Sequence, residues 1–380
     1  MGVVLWLKKA VDGKLLQDAV EELRVRYPYF YVKVAVRDGR PVAVPNDLPM
    51  TVRNTWDPIN LNSEASNFHL AAWKYKGRRL AFEIPHSMTD GAGVFPYVKS
   101  TIYLYFTKLT GLKFDPDGFR LPGQAIPESE TGDPFRHVDF DGVKSPLYRK
   151  DPIRRFFRLV KPAMHVEKKV FFLKLSESKV MQFCRKNGGS PNVFFSVMLA
   201  KAARRFNPES KKTITVSVAI NRKAMLGNYD NYHLSIGAGI LDFPKEEDMD
   251  DIHKVLTAAH GQLILQAQPE NSIWALKNEE LKSCLPSDKP QASICVSYPV
   301  DTSFGPLDPY ISGLFICTSL SRITDVLCEV TCINRSFFVA FMQPFSSEEY
   351  LDCFLKELSL AGIGCRQLRS EPLRMCGIGG

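Results

Sequence analysis

The sequence predicts a mixed α/β fold, of α+β character, in two halves that each combine strands with helices. Three observations carry this expectation. A chain of 380 residues with 45% apolar content can bury a large core, and its length suggests two or three domains. Runs of strand length alternate with helix-period segments toward both ends of the chain. Between them, Pro116, Pro122, Pro127, Pro134, Pro146, Pro152 and Pro162 break every periodic pattern. This divides the chain into a first half over residues 1–115, a Pro-rich crossover over 116–165 and a second half over 166–380.

In the first half, Val3 to Leu7 reads as a short strand. Leu15, Leu16, Ala19, Val20 and Leu23 recur at helical spacing between about Lys14 and Val25, giving one buried face. Pro28 ends that helix, and Phe30 to Val36 alternates as a strand. Asp38-Gly39 is a hairpin signal leading into Pro41 to Val44. Ala71 to Tyr75 and Arg79 to Ile84 form a second hairpin through Lys76-Gly77. It delivers the chain to His86-Ser-Met-Thr-Asp-Gly91, after which an apolar helical segment reaches about Thr110.

The crossover is long for a structureless loop and is expected to pack along the surface or form a lid. Within it, Arg149 to Arg158 mixes cations with aromatics. That composition suits nucleic acid, a membrane surface or coenzyme phosphates, and equally a solvated basic edge.

The second half opens with a strand, Lys168 to Leu175, and a helix to about Lys186 capped by Ser176. The turn Gly188-Gly189-Ser190-Pro191 leads into an apolar helix from Asn192 to Arg205. Ile214 to Ile220 alternates Val with Ser or Thr, as suits a sheet bordering a polar channel. Asn228 to Ile240 reads as extended, Asp250 to Ala267 as a helix with His253 and His260 ordinary members of its faces. Ala292 to Ser297, Val326 to Ile333 and Phe337 to Met342 read as strands. Ser346-Ser347-Glu348-Glu349 is expected to cap a last helix through Leu360.

Nine cysteines, odd in number and without a dense local framework, indicate reduced thiols and a cytoplasmic chain. Cys328 and Cys332 lack the partner pair of a zinc ribbon. No run approaches the roughly 18 uninterrupted apolar residues of a membrane span, and Met1 to Ala10 is too short for a secretory signal. The formal charge of +8 is mild for this length; it fits an anionic ligand and gives no sign of nucleic acid.

The chemistry concentrates at His86. A histidine at a strand's end projects from rigid backbone, and its unperturbed pKa suits proton transfer near neutrality. Asp90-Gly91 reads as a turn, Gly accepting angles closed to other residues. A metal reading fails: the turn breaks the i, i+4 alignment of His86 with Asp90, and no third ligand is near.

The pattern His-x-x-x-Asp-Gly at His86, Asp90 and Gly91, after a strand and before a helix, resembles the active-site motif of the chloramphenicol-acetyltransferase-like superfamily. Its members include peptide-synthetase condensation domains, plant acyl-CoA acyltransferases and alcohol acetyltransferases. Leu15 to Leu23 followed by Arg26-Tyr27-Pro28 is similar to that family's first helix and Arg-x-Pro exit. Ile214 to Ile220 with Asn221-Arg222 resembles the strand and turn of its second half. The resemblance implies two such subdomains, each a mixed sheet with helices, enclosing a tunnel with His86 near its middle.

It further implies an acyltransferase. His86 would act as general base, moving an acyl group from a coenzyme A thioester, or from a phosphopantetheine arm of an acyl carrier protein, to a hydroxyl or amine of a small acceptor. The thioester is then a co-substrate; no permanently bound cofactor or metal is implied. The alternatives are a condensation-type domain using a carrier-bound donor and a ligand-binding member without turnover. Standing without an adjoining carrier or adenylation domain, the sequence favours acyl-CoA. Asp90 and Gly91 would support the loop, with Arg222 or Arg26 as the aspartate's partner. Ser217, Asn221, Arg222, Ser235 and Ser297 are the candidates for oxyanion donors or channel lining. At Ser297-Tyr298-Pro299 the sequence departs from the family's Ser-Asn-x-Gly, which removes an oxyanion assignment by analogy.

Overall fold

The computed structural model describes residues 1–146, 157–160, 167–282, 292–320 and 324–378. In chain order the first half contains β1 (Gly2–Leu7), α1 (Gly13–Glu22), β2 (Val32–Arg37), β3 (Arg40–Pro45), β4 (Val52–Asn54), β5 (Ala72–Lys76), β6 (Arg79–Glu83) and α2 (Gly91–Thr110). A short α3 (Glu128–Thr131) lies in the crossover. The second half contains β7 (Lys169–Ser176), α4 (Glu177–Lys186), α5 (Pro191–Phe206), β8 (Ile214–Asn221), α6 (Lys223–Leu226), β9 (Ile236–Phe243), α7 (Ile252–Gln266), α8 (Pro269–Lys282) and β10 (Ile294–Ser297). It continues through β11 (Ile311–Cys317), β12 (Val326–Ile333), β13 (Ser336–Gln343), α9 (Glu349–Leu360) and β14 (Cys365–Pro372).

Two mixed sheets result. The first runs β11-β1-β6-β5-β4, the second β14-β7-β13-β12-β10-β8-β9, and β2-β3 stands apart as a hairpin. Asp38 and Gly39 both take left-handed φ (51° and 73°), the two-residue turn that Asp-Gly favours between twisted strands. Leu16, Ala19 and Val20 of α1 and Val94, Tyr97, Val98 and Ile102 of α2 are buried with the first sheet. The apolar character of α2 on nearly all sides matches its burial on nearly all sides. In the second half β13 is buried at every position, and Val193, Phe194, Val197 and Met198 of α5 share its core.

Several expectations change. β11, from the second half of the chain, pairs antiparallel with β1, so the first sheet is completed by residues far downstream. The segment read as extended from Asn228 becomes strand only at Ile236, where it pairs with β8. Glu348, not a serine, occupies the cap position of α9 and makes no side-chain cap. The crossover is more than a surface wrapping. Glu130 is buried, bonded by both guanidinium nitrogens of Arg26 (2.7 and 2.8 Å) and by Arg120 (2.8 Å). From the other side, Asn228 Nδ2 donates to Pro134 O and Tyr232 N donates to Glu130 O. Most of the basic stretch from Arg149 lies outside the described residues; at its end Arg158 pairs with buried Asp325 at 2.7 Å. Among the described residues no helix is long and apolar enough to cross a membrane.

Candidate active site

Strand β6 ends at Glu83, the chain turns through Pro85 to Met88, and α2 begins at Gly91. His86 therefore sits between the end of the first sheet's central strand and a helix start. Its Nδ1 lies 2.8 Å from the carbonyl of Thr89. A carbonyl can only accept, so Nδ1 carries the hydrogen and Nε2 keeps its lone pair. His86 lines a cavity of about 290 Å³ whose other walls include Ala219, Asn221, Leu263, Ser297 and Glu329. Both sheets and α7 contribute to these walls.

Asp90 is the N-cap of α2, its Oδ1 accepting from Gly93 N at 2.8 Å. The same oxygen accepts from Lys223 Nζ at 2.6 Å, and Oδ2 accepts from Ser235 N at 2.8 Å. The motif aspartate is thus spent on structure, and its cation is Lys223. Neither expected arginine serves: Arg26 is committed to Glu130, and Arg222 forms no ion pair with Asp90. Burial pushes the Lys223 ammonium below its ordinary range, and Asp90 opposes that shift.

The expected turn at Asp90-Gly91 is also corrected. Gly91 is the first helical residue, and a Cβ there would meet only Pro299, at 3.6 Å. The glycine the site requires is Gly93, whose added Cβ would lie 2.2 Å from Tyr232 O and 2.5 Å from Thr89 Oγ1. Thr89 Oγ1 itself donates to Tyr232 O at 2.6 Å, so the motif loop is pressed directly onto the second half.

Of the candidates from sequence, His86, Asp90, Gly91, Asn221 and Ser297 meet around the cavity. Ser217, Arg222 and Ser235 do not line it. Ser217 is in register with Cys295 in the neighbouring strand; Arg222 N donates to Ser235 O; Ser235 holds Asp90 through its backbone. Of β8, read from its Val and Ser/Thr alternation as bordering a polar channel, Ala219, Ile220 and Asn221 at the strand's end line this cavity. Asn221 Oδ1 accepts from Lys223 N at 3.0 Å, which leaves its amide N–H groups as donors. Burial pushes the Cys295 thiol up to about 12, so it is no nucleophile near neutrality.

Sequence reasoning missed Lys223, Asn192 and Glu329. Glu329 could have been found: it is the one charge in the apolar strand Val326–Ile333. It sits in register beside Ser297, and Thr318 Oγ1 donates to its Oε1 at 3.3 Å. Burial raises its pKa, while the Ser297 hydroxyl, the nearby His86 and Thr318 pull it back. Ser297 thus lies in register beside a buried carboxyl.

No family model matches the sequence, and no characterised protein matches it either. Solved structures do. TRI101 of F. graminearum, complexed with coenzyme A and T-2 mycotoxin, is 11% identical, with a TM-score of 0.60 over 96% of this chain and 95% of that one. The first condensation domain of the calcium-dependent antibiotic synthetase is 13% identical, with a TM-score of 0.59 over 98% and 93%. The epimerization domain of the third module of tyrocidine synthetase B is 10% identical, with a TM-score of 0.56 over 95% and 91%. Matched almost end to end by these structures, the chain and its two mixed sheets share one fold with condensation and epimerization domains and with TRI101.

Proposed function

We propose that the protein transfers an acyl group from a thioester to a hydroxyl or amine of a small acceptor, with His86 as general base. The supporting observation is the Nδ1 bond to Thr89 O, which leaves His86 Nε2 as a lone-pair base on the cavity. A neutral acceptor attacks a carbonyl poorly and must shed a proton. Nε2 takes that proton as the new bond forms and returns it to the departing sulfur, so one side chain serves both stages. A thioester is already activated, and no covalent enzyme intermediate is needed. The tetrahedral oxyanion needs a donor, and the Asn221 amide, whose Oδ1 is engaged by Lys223 N, offers N–H groups on this cavity.

Coenzyme A thioesters are the preferred donors, in keeping with the structural likeness to a protein that holds coenzyme A. A phosphopantetheine-bound donor is the second reading, supported by the likeness to a condensation domain. The experiment is a panel of acyl-CoA and acyl-carrier-protein thioesters, incubated with the purified chain and followed by free thiol release. Release from acyl-CoA supports the first reading, release from the carrier alone the second. Tight ligand binding without any thiol release would mark a member that does not turn over.

A further inference from the structure

The cavity holds a group that base catalysis by His86 does not use. Glu329 is buried among apolar neighbours, lines the same cavity as His86, and among the described residues forms no ion pair. The other carboxylate on the cavity, Asp90, is fully occupied by Lys223, Gly93 and Ser235. The amino group of Met1 also borders the cavity and feels Glu329, but it is bonded to Ile84 O at 2.8 Å. Asn192 also lines the cavity, with its Oδ1 buried out of reach and without a hydrogen-bond partner.

Glu329 and His86 Nε2 therefore give the cavity two acceptors. A hydroxyl can satisfy one of them, because it carries a single donor hydrogen. A primary ammonium carries three, and a positive charge as well. A buried carboxyl is costly to hold charged and gains most from a ligand that supplies the missing cation.

Resting on the acyl-transfer reading above, we infer that the acceptor is a primary amine, bound as its ammonium by Glu329. An ammonium must lose two protons to become an amide nitrogen, and the cavity provides two bases. Glu329 carboxylate takes the first, giving the free amine and a neutral carboxylic acid. His86 Nε2 takes the second as the C–N bond forms, and the C–S bond breaks with its electron pair leaving on sulfur. The imidazolium protonates that thiolate, and Glu329 releases its proton to solvent as the amide departs. Ammonium and thioester thus become amide, thiol and one proton. Burial, which raises the proton affinity of Glu329, suits it to the first step.

The alternative is that Glu329 is a neutral acid held by the Thr318 hydroxyl for structure alone. Glu329→Gln separates the two, because the amide keeps an oxygen for that hydroxyl and loses the charge. Isothermal titration with isosteric pairs, benzylamine against benzyl alcohol and hexylamine against hexanol, is run on wild type and Glu329→Gln. The wild type is expected to bind each amine more tightly than its alcohol. The variant is expected to lose about ten- to a hundredfold in amine affinity, the worth of a charge-assisted bond, with little change for the alcohols. The same amines should accelerate thiol release from acyl-CoA more than their alcohols do. Alcohols that bind and accelerate as well as amines, or amine binding unchanged in Glu329→Gln, would overturn the amine site while leaving acyl transfer intact. Absence of thiol release with every acceptor would instead count against acyl transfer, and the titrations would still decide the amine site. Should Glu329→Gln fail to fold, the wild-type amine and alcohol comparison decides alone.

Discussion

Lys223 Nζ lies 2.6 Å from Asp90 Oδ1, and both side chains are almost wholly buried. The pair joins the loop carrying His86 to the turn that follows β8, residues 133 apart in sequence. Fixing the position of His86 is therefore a property of both halves together, which is how a motif of six residues can be aimed at a cavity walled by two sheets.

Breaking the pair from one side should be severe. Lys223→Met strands a buried carboxylate and is expected to cost about 3–5 kcal/mol, measured by urea unfolding. Combining it with Asp90→Asn, which removes the stranded charge, should restore part of that loss. A double variant no more stable than Lys223→Met would show that the pair is not coupled as its geometry indicates.

The two glycines near the helix start should part company. Gly93→Ala forces a methyl into Tyr232 O and is expected to lose about 1–3 kcal/mol, the usual cost of overpacking. Gly91→Ala places its methyl at ordinary contact with Pro299 and should melt close to wild type. Thermal melts of the two variants side by side check this.

The strand before His86 and the helix after it were legible in the sequence because each is written in local pattern: an apolar run of strand length and a long apolar segment. The hairpin at Asp38-Gly39 was legible for the same reason. The partner of Asp90 was not. It lies one residue past the arginine expected from the resemblance, and nothing in periodicity tells a side chain across 133 positions which neighbour it will meet. The passage of β11 into the first sheet was equally hidden, since its apolar run suits either sheet. Glu329 was visible as a charge in an apolar strand, but its direction became clear only once β12 lay beside β10.

The crossover should govern acid sensitivity. Burial alone would raise the Glu130 pKa, but its bonds to Arg26 and Tyr29 and the charge of Arg120 outweigh this and hold it below the ordinary value of 4.5. A carboxyl depressed in the folded state contributes stability that is present above its unfolded value and lost as pH falls through the folded one. Wild-type stability should therefore decline below about pH 4.5. In Glu130→Gln this contribution is already missing at pH 7, and the acid decline should be shallower. Urea midpoints between pH 7 and pH 3 measure both slopes, and parallel slopes would contradict the assignment.

General-base catalysis by His86 is tested most directly by thiol release from an acyl-CoA panel, wild type against His86→Ala. The substitution removes a ring that borders a cavity, so its melting temperature should stay near wild type. Its turnover is expected to fall by about two to four orders of magnitude, the usual worth of a positioned base. Thioester cleavage at equal rates in a folded His86→Ala variant and in wild type would contradict the assignment of His86 as the base.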